Sequence, residues 1–342
     1  MSEIKSRKPW RLIQKIFYYT IPPVILVYIF MNIDINSFFA ALKNIELKYY
    51  LLGLALYPLI ISIGAYRWYY LKRKMINPVI PLSFSMTNYW IGRTVGFLAP
   101  GSIGWDIYRI IAATKKYGGL IKNTFVAVIE KLLGLTVCSL IIIVAFPFLD
   151  ISSHDVLNRI SIFAYIIFFS LVATVAIGSL FSKRFAFISK IASRVQKSLL
   201  DKLQHSRFKL SEYLGQETGK DREINYNFRK ILPDIPVLLV LSFTIQLGIS
   251  FAIYLIIKSL NYDLPYYVPL FVAPVLTFIF LLPISFGSLG IREGAYIFFY
   301  GIFGMDQEAA LLLSFLTLSG ALFTVIIGAI VIQVSSVKKI IE

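Results

Sequence analysis

Residues 123–146 and 159–181 are long runs of mainly apolar side chains. Each is long enough to cross a bilayer as a helix, which takes about 20 apolar residues. Few folds are open to a chain built around such runs, because a segment in lipid must satisfy its own backbone polar groups. Composition agrees: 58% of residues are apolar, 15% are charged and mean hydropathy is +0.75. A soluble domain carries about 25% charged residues. Further full-length helices are expected at 12–31, 49–71, 236–258 and 308–334. The first follows the basic head MSEIKSRKPWR, and no small-residue cleavage site closes it. It therefore reads as a retained helix rather than a signal peptide.

Two regions, 84–113 and 267–304, break this pattern. FLAPGSIG at 97–104 recurs as FLLPISFG at 280–287, with Phe, Leu, Pro, Ser and Gly at the same offsets. Five positions beyond each phrase comes an arginine, Arg109 and Arg292. Pro100, Gly101 and Gly104 in the first region, and Pro283, Gly287 and Gly290 in the second, are helix-breaking positions. The shorter apolar segments beside them would cover about 15–21 Å, less than the ~30 Å hydrocarbon core. Each region reads as a re-entrant helical hairpin, with a pair of short tilted spans as the alternative.

Charge gives the orientation. With the N-terminus inside, the inner segments 1–11, 72–81, 115–122, 182–235 and 335–342 hold 24 Lys and Arg. The outer side holds Lys43, Lys48, Arg159 and, at a helix edge, Lys258. This positive-inside bias puts both termini in the cytoplasm and the protein in the cytoplasmic (plasma) membrane. It also accounts for the net charge of +16 without nucleic acid. Within 182–235, Ile188, Ile191, Val195, Leu199 and Leu203 fall at helical spacing with Lys190, Arg194, Lys197 and Lys202 between them. Such a helix would lie on the anionic inner leaflet or cap the bundle.

The expected fold is an all-α polytopic membrane protein with about six full transmembrane helices and two re-entrant hairpins in an inverted repeat. Residues 1–150 form the first membrane repeat: two helices, hairpin 84–113, then a helix. Residues 151–342 form the second, in the same order, with the cytoplasmic loop 182–235 inserted and hairpin 267–304. The two hairpins would enter from opposite sides and meet near mid-membrane, as in transporters built from inverted repeats.

Arg93, Asp106, Arg109, Glu130, Lys131, Arg292 and Glu293 fall inside apolar segments. A charge at a helix centre costs roughly 2.5–3.5 kcal/mol. Such residues pair, face a polar cavity or reach an interface. Four are cationic and three acidic, a set that could hold a phosphate while keeping its own acids paired. The second arm of each hairpin would start near Gly104 or Gly290 and present free N–H groups, which favour an anion. Asp106 and Glu293 are also placed to cap their own helices. The bland alternative for the set is an ion-pair network that fixes hairpin packing.

Cysteine and histidine add little chemistry. Cys138 is the sole cysteine and lies in an apolar run, while His154 and His205 lie in loops, so neither a metal nor a cofactor is expected.

The segments PGSIGWDIYR at 100–109, VIEKLLGL at 128–135 and PISFGSLGIREG at 283–294 resemble the lysylphosphatidylglycerol synthase transmembrane-region family, also called flippase-like. The resemblance covers roughly 10–335, and the G-x-R-E-G core of the third segment is its most specific part. It implies a membrane domain that moves an aminoacylated phospholipid to the outer leaflet. Lys131 stands where the family favours arginine, which keeps the charge but loses the bidentate fork. The soluble synthase domain of the fuller members is not expected, since the chain ends at Glu342. Relatives beside glycan pathways imply an isoprenoid-linked lipid as a second substrate class.

Three functions follow as expectations. The first is a lipid translocase (flippase-like) for a phosphate-bearing headgroup, with a phospholipid or isoprenoid-linked lipid as partner. The second is a membrane glycosyltransferase using a polyprenyl-phosphate-linked sugar. Its acids would come from the outer-side Asp34, Glu46, Asp150, Asp155, Asp263, Asp306 and Glu308, which form no D-x-D pair. The third is an accessory subunit to a biosynthetic enzyme. A homo-oligomer is compatible with all three.

Overall fold

The computed structural model describes residues 23–75, 80–97, 103–149, 155–180, 232–281 and 288–341. Among these residues the regular elements are all helical. They are α1 (Pro23–Met31), α2 (Ile35–Lys43), α3 (Leu47–Met75), α4 (Leu82–Phe97), α5 (Ile103–Tyr117), α6 (Leu120–Ala145), α7 (Asp155–Leu180), α8 (Ile235–Ser259), α9 (Tyr267–Leu281), α10 (Ile291–Ile302) and α11 (Gln307–Ile341). Among the described residues five helices are long and apolar enough to cross a membrane, or six if the bent pair α1–α2 counts as one span. The chain is an all-α, multi-pass membrane protein.

The long helices fall where hydropathy puts them, to within a few residues at each end. The first differs. Beyond Met31 the chain turns by 91° into α2, a short helix in place of the expected loop. Asp34 starts α2 by accepting from the N–H of Asn36 at 2.9 Å and the hydroxyl of Ser37 at 2.7 Å. These bonds hold the Asp34 carboxyl below the usual carboxylate range. No residue of α2 is buried, so the helix lies along the bundle rather than through it.

α3 and α8 pack against each other over most of their length and form the centre of the bundle. Around them α4 packs on α11, and α6 packs on α9. α7 lies outside α6, and α2 outside α11. Two apolar clusters result. The larger joins α6, α8, α9, α10 and α11 around Phe271, Ile257, Tyr300 and Leu313. The smaller joins the C-terminal half of α3 to α4, α5 and the start of α6 around Trp68, Tyr89 and Ala113. The buried charges gather beside the smaller one.

The hairpin arms are short helices, α4 with α5 and α9 with α10, each no longer than 16 residues. At 1.5 Å per residue each covers at most about 24 Å. Pro100, Gly101, Pro283 and Gly287 lie outside the described residues, as do His154, His205 and the amphipathic stretch 188–203.

The first hairpin closes at Gly96. A Cβ there would lie 2.7 Å from both the backbone N and the Cβ of Trp105. Backbone cannot yield as a flexible side chain can, so Gly96→Ala should force α4 and α5 apart. Overpacking of this kind costs typically 1–3 kcal/mol. We expect Gly96→Ala to lower the melting temperature of the detergent-solubilised protein by several degrees; an unchanged value would mean the two arms are not held this closely.

Candidate functional site

Arg109 is the hub of the buried charges. It sits near the middle of α5 and is 4% exposed. One terminal nitrogen donates to Glu130 Oε2 at 3.0 Å, and the other donates to Asp106 Oδ1 one turn back on α5. Asp106 Oδ2 accepts from Lys131 Nζ at 2.9 Å. Glu130 Oε1 accepts from Arg67 Nη2 at 3.0 Å and more loosely from the Tyr89 hydroxyl at 3.4 Å. Arg67 Nη1 donates to Ser242 Oγ at 2.8 Å, which ties α3 to α8. One network therefore crosses α3, α5, α6 and α8, with each carboxylate shared between two cations.

Aromatic rings wall the hub. The Arg109 guanidinium lies 4.5 Å from the Tyr89 ring centroid, 5.2 Å from Trp68 and 5.3 Å from Trp105. A guanidinium is weakly hydrated and stacks on such faces, so the rings offset part of its burial cost. Tyr89 and Trp105 meet edge to face at 4.8 Å, which fixes the wall.

Two further arginines are Arg93 on α4 and Arg292 on α10. The Arg93 guanidinium stands 5.3 Å from the Trp105 ring, and its Nε donates to Thr324 Oγ1 of α11 at 3.1 Å. Among the described residues Arg93 forms no ion pair. Arg292 lies in the first turn of α10, 5.7 Å from the Phe280 ring of α9. Arg93 and Arg292 are both half-buried.

Glu293 is fully buried, and its Oε2 accepts from the N–H of Gly290 at 2.6 Å. Gly290 has a φ of +76°, a backbone conformation that suits glycine, and Ser288 has a φ of +60°. Glu293 thus caps its own helix, as its spacing from Gly290 suggests. Its Oε1 has no hydrogen-bond partner among the described residues. Asp106 goes the other way. Its carboxylate is taken by Arg109 and Lys131 rather than by the backbone at the start of α5. Gly104 is the second residue of α5.

Of the seven charges expected from the sequence, Asp106, Arg109, Glu130 and Lys131 share one ion-pair network. Arg93 joins its edge through Trp105, while Arg292 and Glu293 sit together at the start of α10. Two further buried cations join them, which the apolar runs do not reveal. Arg67 falls near the end of an expected span, where long side chains usually reach the interface. Lys72 belongs by sequence to the inner segment 72–81, but it lies inside α3 and is fully buried. The one available signal is the run RWYYLKRK at 67–74, which puts 67 and 71 on one helical face and 68 and 72 on the adjoining one.

Three of the outer-side acids have separate partners. Asp263 pairs with Lys258, which holds its carboxyl below the usual range. Asp306 accepts from the Tyr262 hydroxyl; burial and this bond push that hydroxyl up to about 12. Glu308 accepts from the N–H of Asp34 at 3.3 Å.

No curated protein matches the chain. Among protein families, residues 16–330 match the lysylphosphatidylglycerol synthase TM region. That match spans all of these charges, and the chain belongs to the lysylphosphatidylglycerol synthase TM region family.

Proposed function

We propose that the protein is a lipid translocase that moves a phosphate-bearing lipid headgroup between leaflets, through a polar site between its two hairpins. The observation that carries this reading is an excess of cations among the membrane helices, with Arg93 forming no ion pair among the described residues and Lys72 Nζ no hydrogen bond. A cation drawn in among apolar helices is costly unless an anion answers it. Counting Arg67 and Lys72, the region gathers six cations around three carboxylates, so an anion is also the ligand its overall charge favours. The ion-pair network supplies sharing rather than fixed pairing. A phosphate could take donors from Arg109 or Lys131 while Asp106 and Glu130 keep their other partners.

The arrangement of helices favours an inverted repeat, 1–150 with 151–342. Exchange α3 with α8, α4 with α9, α5 with α10 and α6 with α11, and the neighbours exchange as well. α4 on α11 becomes α9 on α6, and the central α3–α8 pair maps onto itself. On this reading the hairpins are re-entrant from opposite sides and expose the site to each leaflet in turn. The positive-inside bias favours cytoplasmic termini in the cytoplasmic membrane. Phospholipids and isoprenoid-linked lipids both fit a site that reads phosphate.

The test is reconstitution into vesicles with a headgroup-labelled anionic phospholipid, following label at the outer leaflet with a membrane-impermeant quencher. The expected result is transfer at least tenfold faster than in protein-free vesicles. Transfer at the protein-free rate for phospholipid and polyprenyl-phosphate probes alike would remove the translocase reading.

A further inference from the structure

Lys72 is fully buried near the end of α3, and its Nζ has no hydrogen-bond partner among the described residues. An ammonium carries three donors and no acceptor. Burying one without acceptors is costly. Two features soften that cost. The nitrogen stands 4.0 Å from the Trp68 ring centroid, and the last turn of a helix favours a cation. Neither supplies an acceptor for the N–H groups.

The nearby acids are committed elsewhere. Asp234 accepts from the Tyr70 hydroxyl at 2.6 Å and pairs with Lys74 at 3.0 Å. Glu130 is shared by Arg67 and Arg109. A lysine serving only membrane orientation would extend outward, as Lys74 does with 43% of its side chain exposed. Lys72 instead turns inward, toward the same Trp68 ring that Arg109 approaches from 5.2 Å.

We infer that Lys72 is an anion-binding subsite for a phosphate group, the first of a line of cations spaced by aromatic rings. Resting on the translocase reading, the line runs Lys72, Trp68, Arg109, Trp105 and Arg93. Arg109 and Arg93 both stand 5.3 Å from the Trp105 ring. A phosphate moving along it meets a cation at each step, and at Arg109 it competes with Asp106 and Glu130, which would help it to leave. Passage through a polar path needs this balance of binding and release. Lysine suits this position because it offers a mobile point charge rather than a fixed fork.

The experiment is a binding titration on the purified full-length chain in detergent, with dihexanoyl-phosphatidylglycerol and inorganic phosphate as separate probes. Lys72→Met should weaken binding at least tenfold, while the ligand-free melting temperature holds or rises because a buried ammonium has gone. Lys72→Arg should bind within about threefold of wild type. If the effect appears with the lipid alone, the ligand is a headgroup; if inorganic phosphate reproduces it, the ligand is free phosphate. Wild-type affinity for both probes in Lys72→Met overturns the subsite. Should that variant fail to fold, Lys72→Gln takes its place with the same reading. Vesicle transfer separates this inference from the function it rests on. Lys72-dependent binding without transfer keeps the subsite and removes the translocase, whereas transfer and affinity both unchanged in Lys72→Met do the reverse.

Discussion

Arg109→Ala is expected to cost most of the folded protein. The side chain is buried and neutralises half of each of two carboxylates, Asp106 and Glu130. Removing one partner of a buried ion pair typically costs 3–5 kcal/mol, because the other charge is left without compensation. Contacts with Trp68, Tyr89 and Trp105 go as well. That is a large share of a total stability of about 5–15 kcal/mol. The readout is monodisperse protein recovered in detergent, expected to fall at least tenfold. The apolar double variant Arg109→Met, Glu130→Met should recover part of the loss. It leaves Asp106 with Lys131 and Arg67 with Ser242, and buried ion pairs often tolerate replacement as a unit. Normal recovery and an unchanged melting temperature for Arg109→Ala would mean that the network does not hold the hairpin to the bundle.

Much of this is legible from residue order alone. Long apolar runs fix the spans because the bilayer fixes the length, and α3, α6, α7, α8 and α11 appear where hydropathy puts them. Gly290 and Glu293 are three residues apart, so their capping bond is a local matter that spacing can reveal. Asp106 and Arg109 are one turn apart on α5, and that contact is local too. What order does not reveal is which distant partner a buried charge chooses. Glu130 meets Arg67 across 63 positions because α3 packs on α6, and Arg93 meets Thr324 across 231 because α4 packs on α11. Lys72 illustrates the same limit. Its sequence neighbours Arg73 and Lys74 suggest an inner loop, and only the packing of α3 turns it inward. α2 escapes sequence reading for a different reason. Its nine residues follow a capping Asp34, but they are too few for a span, and hydropathy over long windows averages them into the loop.

Arg292→Ala should separate function from folding in the direction opposite to Arg109. The capping bond from Gly290 to Glu293 uses a backbone donor and a different side chain, so the start of α10 survives the change. The Arg292 side chain is half-buried and lies 5.7 Å from the Phe280 ring, so its removal disturbs less than that of the fully buried Arg109. Folded protein should therefore stay within a factor of two of wild type. The anion site loses the cation contributed by the second hairpin. A charge-assisted contact to phosphate is worth about 1.5–3 kcal/mol, or more than a tenfold change in affinity. Mass spectrometry of lipids retained by the purified protein, set against bulk membrane extract, reads this directly. Wild type should be enriched in one anionic or sugar-phosphate lipid, and Arg292→Ala should lose that enrichment at least tenfold. Equal retention by both proteins would take Arg292 out of the site and leave it as a packing contact. Loss of folded protein with Arg292→Ala would lead to the same conclusion by another route, because Arg292 would then be holding α10 in place rather than meeting an anion.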